Sequence, residues 1–376
     1  MTQGARIEGV VLTPEGFVDG ALEHAQGRVV RIEGTPIAAG DARDRARPIV
    51  LPGFIDLHVH GGGGSDTMEG GDAIQQIARL HTRHGTTALL ATTMTAPMDE
   101  LRAAMAALGP SCFARARGDA RVLGVHLEGP YINPGKLGAQ PDNVQVASVA
   151  DVLALHALAP IRLITLAPEM PGHLDIIAPL RAAGFQVQIG HSLGSYEDGV
   201  AALKNGAAGF THLFNAMTGM HHRAPGIVGA ALAHAHYSEI IPDLLHVHPG
   251  AIRAALRAVP RLYCVTDSTA ASGMPDGEYR LGRHRVTKCM GGVRLADGTL
   301  AGSTLTMDQG LRNLVNIGLA LDDASRRVST YAADYLGLAD RGRLARDAHA
   351  DLVVLDRDLQ LLRVIVEGEE IDLTHA

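Results

Sequence analysis

Eight short apolar runs, most of them separated by a stretch of helical period, constrain this chain more than any other feature. From Pro52 onward they read GFIDLHVH, TTALLATT, RVLGVHLEGP, IRLITLAPE, FQVQIGHS, GFTHLFNA, SEIIPDLLHVHPG and RLYCVTD. Such runs read as strands buried on both faces, as in a parallel sheet. Between them lie DAIQQIARLHTRHG, MDELRAAMAAL, ADVLALHALA, LDIIAPLRAAG, YEDGVAALKNG and AIRAALRAV, several closed by the Gly or Pro that stops a helix. Eight βα units make either a closed barrel or a long doubly wound sheet. The polar residues decide between them. His58 and His60, Glu128, His191, His212, His246 and Asp267 fall at or just beyond the C-terminal ends of runs one, three, five, six, seven and eight. Only ring closure gathers those ends around one mouth, where barrel enzymes keep their sites. The expected fold is α/β, a TIM-like (β/α)8 barrel.

The barrel accounts for residues 51–344. Residues 1–50 carry short β-like pieces, ARIEGVVLTP and GRVVRIEG, broken by Gly and Pro, and the tail from 345 to 376 reads the same way in ADLVVLDRDLQLLRVIVEGEEI. The two termini are expected to pair into a small β-domain. An insert at about 276–301, bounded by Asp276-Gly277 and Asp297-Gly298, resembles β-hairpins that overhang the mouth or extend a subunit contact.

A net charge of -7 argues against a nucleic-acid partner, while leaving room for a local basic pocket for one phosphate. Cys112, Cys264 and Cys289 are odd in number and lack CxxC spacing, so a reducing, cytoplasmic setting fits better than a disulfide framework. No run of about 18 apolar residues and no basic-then-apolar leader is present, which speaks against membrane insertion and secretion.

Nineteen histidines are the compositional oddity, because many sit beside Gly, Asp or Glu at the ends of apolar runs. Side chains on a strand alternate with period two, so His58 and His60 face one side and can share an ion. Alone, such a pair is as often two satisfied core histidines; here it follows Pro52-Gly53-Phe54-Ile55-Asp56 and precedes four glycines, a loop with no evident packing purpose. Glu128 ends an apolar run and is followed at once by Gly129-Pro130; it reads either as a surface acid or as a carboxylate whose two oxygens bridge two cations. His126, two residues earlier on the same face, is a supporting or substrate-contacting group rather than a ligand. His191 and His212 each close a strand. Two histidines, one carboxylate and a position left for water form a common catalytic zinc arrangement. Asp267, before Ser268 and Thr269, reads either as a turn former or as a general base for a water acidified by a metal. Arg223, in the glycine-containing loop Phe214–Gly226, is either solvated or a forked donor for phosphate.

These motifs together resemble the N-acetylglucosamine-6-phosphate deacetylases of the amidohydrolase superfamily. The likeness runs from LPGFIDLH through HLEGPYINP, GHS, THLFNAMTGMHHRAPG, LHV, VTDSTAASG and AGSTLTM to ADLVVLD, nearly the whole chain. It implies a homodimeric enzyme of amino-sugar catabolism that hydrolyses the acetamido group of N-acetyl-D-glucosamine 6-phosphate to acetate and D-glucosamine 6-phosphate. Glu128, His191 and His212 would hold a primary metal, and His58 and His60, with Glu128 and Asp267 alongside, a second. Zinc is the first expectation for both, with iron or another divalent ion open. Asp267 would act as general base and then acid. Asn215, the backbone of Ala216 and Arg223 match phosphate contacts, the arginine coming from the neighbouring subunit. His246 matches a sugar or amide contact, and Gln140, Ala139 and Leu305 complete the expected substrate pocket.

Three departures from the family pattern stand out. Members without the HxH pair use one metal, so its presence implies two positions. At Gln140 single-metal members carry a histidine that helps polarise the amide carbonyl; glutamine donates a hydrogen bond but carries no charge, and the second metal is expected to take over part of that role. Before His246 the chain reads Ile241-Pro242-Asp243-Leu244-Leu245 where the family usually has Ala-Asp-Gly. This substitution keeps N-acetylgalactosamine 6-phosphate or another N-acyl compound open as substrate. A non-catalytic metal-binding relative is a remote alternative, since every expected ligand and the base are present.

Overall fold

The apolar runs form strands with almost no solvent contact: every residue of Phe54–Val59 and of Thr86–Thr92 is buried. A computed structural model describes residues 4–374. Six parallel strands stand in the order Phe54–Val59, Thr86–Thr92, Arg121–Glu128, Ile161–Leu166, Gln186–Ile189 and Gly209–Phe210, and Tyr237–Ile240 pairs in parallel with Arg261–Cys264. Two sets of hydrogen bonds close this series into a ring. The Leu213 N–H donates to the Glu239 carbonyl at 2.9 Å and the Ser238 hydroxyl to that of Phe210 at 3.1 Å, joining the sixth strand to the seventh. The Asp267 N–H donates to the His58 carbonyl, and the His60 N–H to that of Ser268, both at 2.9 Å, joining the eighth to the first. The last closure consists of backbone beside candidate site residues.

Helices fill the crossovers. The six helical stretches read from the sequence appear as Ala73–Arg83, Met98–Phe113, Val149–His156, His173–Ala182, Tyr196–Lys204 and Pro249–Ala258. Ser148 and Ser195 cap two of them by accepting the N–H groups of Asp151 and Asp198, as Ser does at helix starts. Four further helices escaped the sequence reading: Gly226–His234 between the sixth and seventh strands, and Met307–Asn316, Leu321–Val328 and Thr330–Tyr335 after the eighth.

The terminal segments form a seven-stranded sheet in the order Glu369–Glu370, Leu361–Val366, Leu352–Leu355, Ile49–Pro52, Ala5–Thr13, Gly16–Ala25 and Arg28–Pro36. Ile49–Pro52 passes directly into the first barrel strand through Gly53, where a Cβ would lie 2.3 Å from Thr87 Cγ2. Glycine is required by that close approach. Glu367 pins this sheet to the barrel by accepting from Arg121 at 2.8 Å, Arg115 at 3.3 Å and Arg341. The insert is a three-stranded antiparallel sheet, Gly277–Leu281, His284–Cys289 and Gly292–Arg294. Its first turn docks on the barrel where the Gly282 N–H donates to Asp66 at 2.8 Å, and Leu281, Thr299 and Leu300 reach the mouth.

Candidate metal and catalytic centre

Glu128 is buried at the end of the third barrel strand, and its two oxygens face different partners. Oε1 lies 3.2 Å from His191 Nε2 and 3.1 Å from His212 Nε2; Oε2 lies 3.1 Å from His60 Nε2 and 3.5 Å from His58 Nε2. Asp267 closes the second group, with Oδ1 at 3.5 Å from His58 Nε2 and 3.4 Å from His60 Nε2. Two triads result, Glu128–His191–His212 and His58–His60–Asp267, joined through one carboxylate. The period-two spacing of His58 and His60 does bring both rings to one side.

The other three residues reach the mouth by a different device. His191, His212 and Asp267 adopt left-handed backbone, φ 48°, 30° and 51°, just beyond their strands. Such conformations cost of order 1–3 kcal/mol in non-glycine residues and collect where surrounding structure dictates a site.

The electrostatics suit a cation. The Nδ1 of His191 lies 2.8 Å from the Lys136 carbonyl, which can only accept, so Nδ1 carries the hydrogen and Nε2 presents a lone pair. That lone pair points at Glu128 Oε1 and, at 3.1 Å, at the Nε2 of His212; the Nε2 atoms of His58 and His60 also lie 3.1 Å apart. Acceptors converging at such distances repel unless positive charge lies among them. Burial alone would raise the Glu128 carboxyl and lower the His58 imidazole. The imidazoles of His58 and His191 instead hold Glu128 well below the usual carboxylate range, and Glu128, Asp267 and Glu239 raise His58. Imidazole and carboxylate donors in this number fit a divalent ion such as zinc or iron.

The donors open into a mouth cavity of about 240 Å3, lined also by Met94, Ala139, Gln140, Asn215, Ala216, His246, Leu281 and Leu300. Gln140 accepts the Thr95 N–H at 2.7 Å and donates to Glu128 Oε2 at 2.6 Å. The Asn215 amide donates to the His212 carbonyl at 3.1 Å. His246 lies 2.6 Å, Nδ1 to Oδ2, from Asp243; burial would lower its pKa, but this partner raises it. Two expected substrate residues stand apart. Leu305 is not among the cavity's lining and is packed in the core, its N–H bonded to Ser303. Arg223 is exposed, its guanidinium on His222 Nε2 at 2.8 Å, and it is not among the residues lining the mouth of its own chain. His126 is fully buried between the Leu57 carbonyl and the Thr165 hydroxyl, a supporting position without access to substrate.

Sequence reasoning missed Glu239 and Met94, and it set the insert over the mouth as one of two options without singling out Leu281, Thr299 or Leu300. Glu239 carried a faint signal as a carboxylate inside the apolar run SEII, where burial demands partners. The individual insert residues carried none, because which of them face the mouth depends on where the hairpin folds back.

The amidohydrolase family model matches residues 49–371. An N-acetylgalactosamine-6-phosphate deacetylase of Escherichia coli O157:H7 is 37% identical over 371 residues, covering 96% of this chain and 97% of the relative. An N-acetylglucosamine-6-phosphate deacetylase of Vibrio furnissii is 39% identical over 328 residues, covering 85% and 82%. Among solved structures, a variant of the Mycobacterium smegmatis N-acetyl-D-glucosamine-6-phosphate deacetylase in complex with N-acetyl-D-glucosamine-6-phosphate superposes with a TM-score of 0.90 at 34% identity, covering 98% of this chain and 100% of that one.

Proposed function

This chain belongs to the amidohydrolase family and is a hydrolytic enzyme, and we propose that it deacetylates N-acetyl-D-glucosamine 6-phosphate to D-glucosamine 6-phosphate and acetate. The observation that carries the reading is the Glu128 carboxylate set between two pairs of imidazoles, with Asp267 on the rim of the same mouth. Glu128, His191 and His212 would hold the primary divalent metal and His58 and His60 a second beside Glu128 Oε2. A metal held there acts as a Lewis acid that acidifies water and polarises the acetamide carbonyl.

The chain's own groups do the rest. Asp267 takes a proton from the attacking water as the new C–O bond forms. It returns that proton to the sugar nitrogen as the C–N bond breaks, so the amine leaves neutral and the other product is acetic acid, which gives up its remaining proton to solvent as acetate. His246, held by Asp243, stands where it can orient the sugar or its amide. Asn215 and the Ala216 N–H would meet the phosphate, and Arg223 of a neighbouring copy would complete that contact, which makes the working unit a homodimer. Zinc is the first assignment for the metal, iron or another divalent ion the second. Three free cysteines suit a cytoplasmic enzyme of amino-sugar catabolism.

The test is release of free amine by metal-replete protein from N-acetylglucosamine 6-phosphate, its galacto epimer and unphosphorylated N-acetylglucosamine, with elemental analysis of the same sample. Turnover should be highest on the gluco phosphate, weak without phosphate, and lost on chelation. Silence across the panel would overturn the reading. A tenfold preference for the galacto epimer would move the assignment to that sugar, the substrate in the name of the E. coli relative.

A further inference from the structure

We propose that Glu239 is a positioning residue that holds the two metal positions in register, by fixing the tautomer of His58 and the backbone of His212 through one carboxylate oxygen. This rests on the metal reading of the site above. Glu239 lies in the seventh strand, Tyr237–Ile240, and is fully buried. Taking a carboxylate out of water costs several kcal/mol unless its oxygens are satisfied. Its hydrogen-bond partners are His58 Nδ1 at 3.0 Å, the His212 N–H at 3.1 Å and the Tyr263 hydroxyl at 3.3 Å, the first two sharing Oε2.

An ionised carboxylate only accepts, so His58 must carry its hydrogen on Nδ1. Its Nε2 lone pair is thereby aimed at Glu128, His60 and Asp267. The second donor on that oxygen comes from His212, a residue of the other triad in left-handed backbone. One oxygen thus holds a member of each metal position. His60 and His212 differ in having no hydrogen-bond partner for their Nδ1 atoms among the described residues. Glu239 also lies near His126 and His58 in a group of metal-capable side chains. That group is a support and not a third site, because both nitrogens of His126 are engaged, with Leu57 and Thr165, and His58 Nδ1 is engaged with Glu239.

Carboxylates that hydrogen-bond a metal-bound imidazole change metal affinity by roughly 10–100-fold when replaced. Calorimetric zinc titration of the metal-stripped protein should therefore show Glu239→Gln binding the second ion about 10–100-fold more weakly and the first ion more weakly as well. His60→Ala should lose the second ion alone. Glu239→Gln with both affinities at the wild-type level would overturn the proposal, whereas a wild-type protein that takes up no metal would overturn the site reading instead. A 15N-histidine spectrum of zinc-loaded wild type needs no variant. It should place a proton on His58 Nδ1 and none on Nε2, and the opposite tautomer would overturn the proposal.

Discussion

Asp267 faces the imidazoles of His58 and His60 from the rim of the mouth, and a carboxylate there can do what a carboxamide cannot, which is to take and return a proton. Asp267→Asn should lower kcat by roughly 10²–10⁴ while KM stays within a few-fold and the Glu128 triad keeps its metal. Steady-state kinetics with elemental analysis of the same samples would check this, and a variant keeping a tenth of its turnover would remove Asp267 from the proton path. Gln140 presents the contrasting case. Its carboxamide is held at both ends, by the Thr95 N–H and by Glu128 Oε2, so one of its two amide hydrogens serves the carboxylate, and the group can offer a carbonyl a neutral donor but no positive charge. Replacing His58 and His60 together should therefore cost far more in kcat than Gln140→Ala. The reverse ranking would mean that Gln140, and not the second metal position, does the work of the absent histidine. At this scale the candidate ligands were legible because a polar side chain at the end of an apolar run stands out. Glu239 was not, since its meaning depends on which ring of another strand it meets.

Individual elements show where sequence reasoning stops. All eight barrel strands were readable as apolar runs, whereas the helix Gly226–His234 was not. Six of its nine residues are buried and no polar stripe marks its period. Gly16–Ala25 was missed as a strand for the opposite reason, its mixture of glycines, charges and half-exposed positions. The loop after the seventh strand explains one departure from the family pattern. Leu244 stands at φ 66°, a conformation that glycine adopts without strain. It packs against the main core and is not among the residues lining the mouth. A glycine at this position would relieve the backbone without adding a group to the mouth. Leu244→Gly should leave KM within about twofold. Relief of about 1–2 kcal/mol of left-handed strain should offset a similar loss of apolar burial, leaving stability within about 1 kcal/mol. A tenfold change in the ratio of activity on the two epimers would instead put Leu244 in contact with the sugar.

The whole molecule depends on the terminal sheet staying fixed to the barrel, because Ile49–Pro52 leads straight into the strand that carries His58. Burial alone would raise the Glu367 carboxyl, but Arg121 and Arg341 hold it down at about 2. An acid whose folded pKa is depressed contributes stability above its unfolded pKa, about 4.3, and loses it as pH falls towards the folded value. Discounted for partial exposure, the contribution is about 1–2 kcal/mol. Urea unfolding should show Glu367→Gln less stable by that amount from pH 7 down to about 4, with the gap narrowing below; a gap unchanged at pH 3 would show that charge is not what Glu367 supplies.

Assembly raises a separate question, since Arg223 is exposed and is not among the residues lining its own mouth, and the proposed phosphate contact would bring it from a neighbouring copy. Arg223→Ala and Asp267→Ala chains should each be nearly inactive at low substrate. Co-expressed in equal amounts, half of the dimers are mixed. In a mixed dimer the Arg223→Ala chain keeps its own Asp267 and receives arginine from its neighbour, so one of the two sites is complete. The mixture should then recover about a quarter of wild-type activity per site. If Arg223 serves its own chain instead, no mixed dimer holds a complete site and mixing restores nothing.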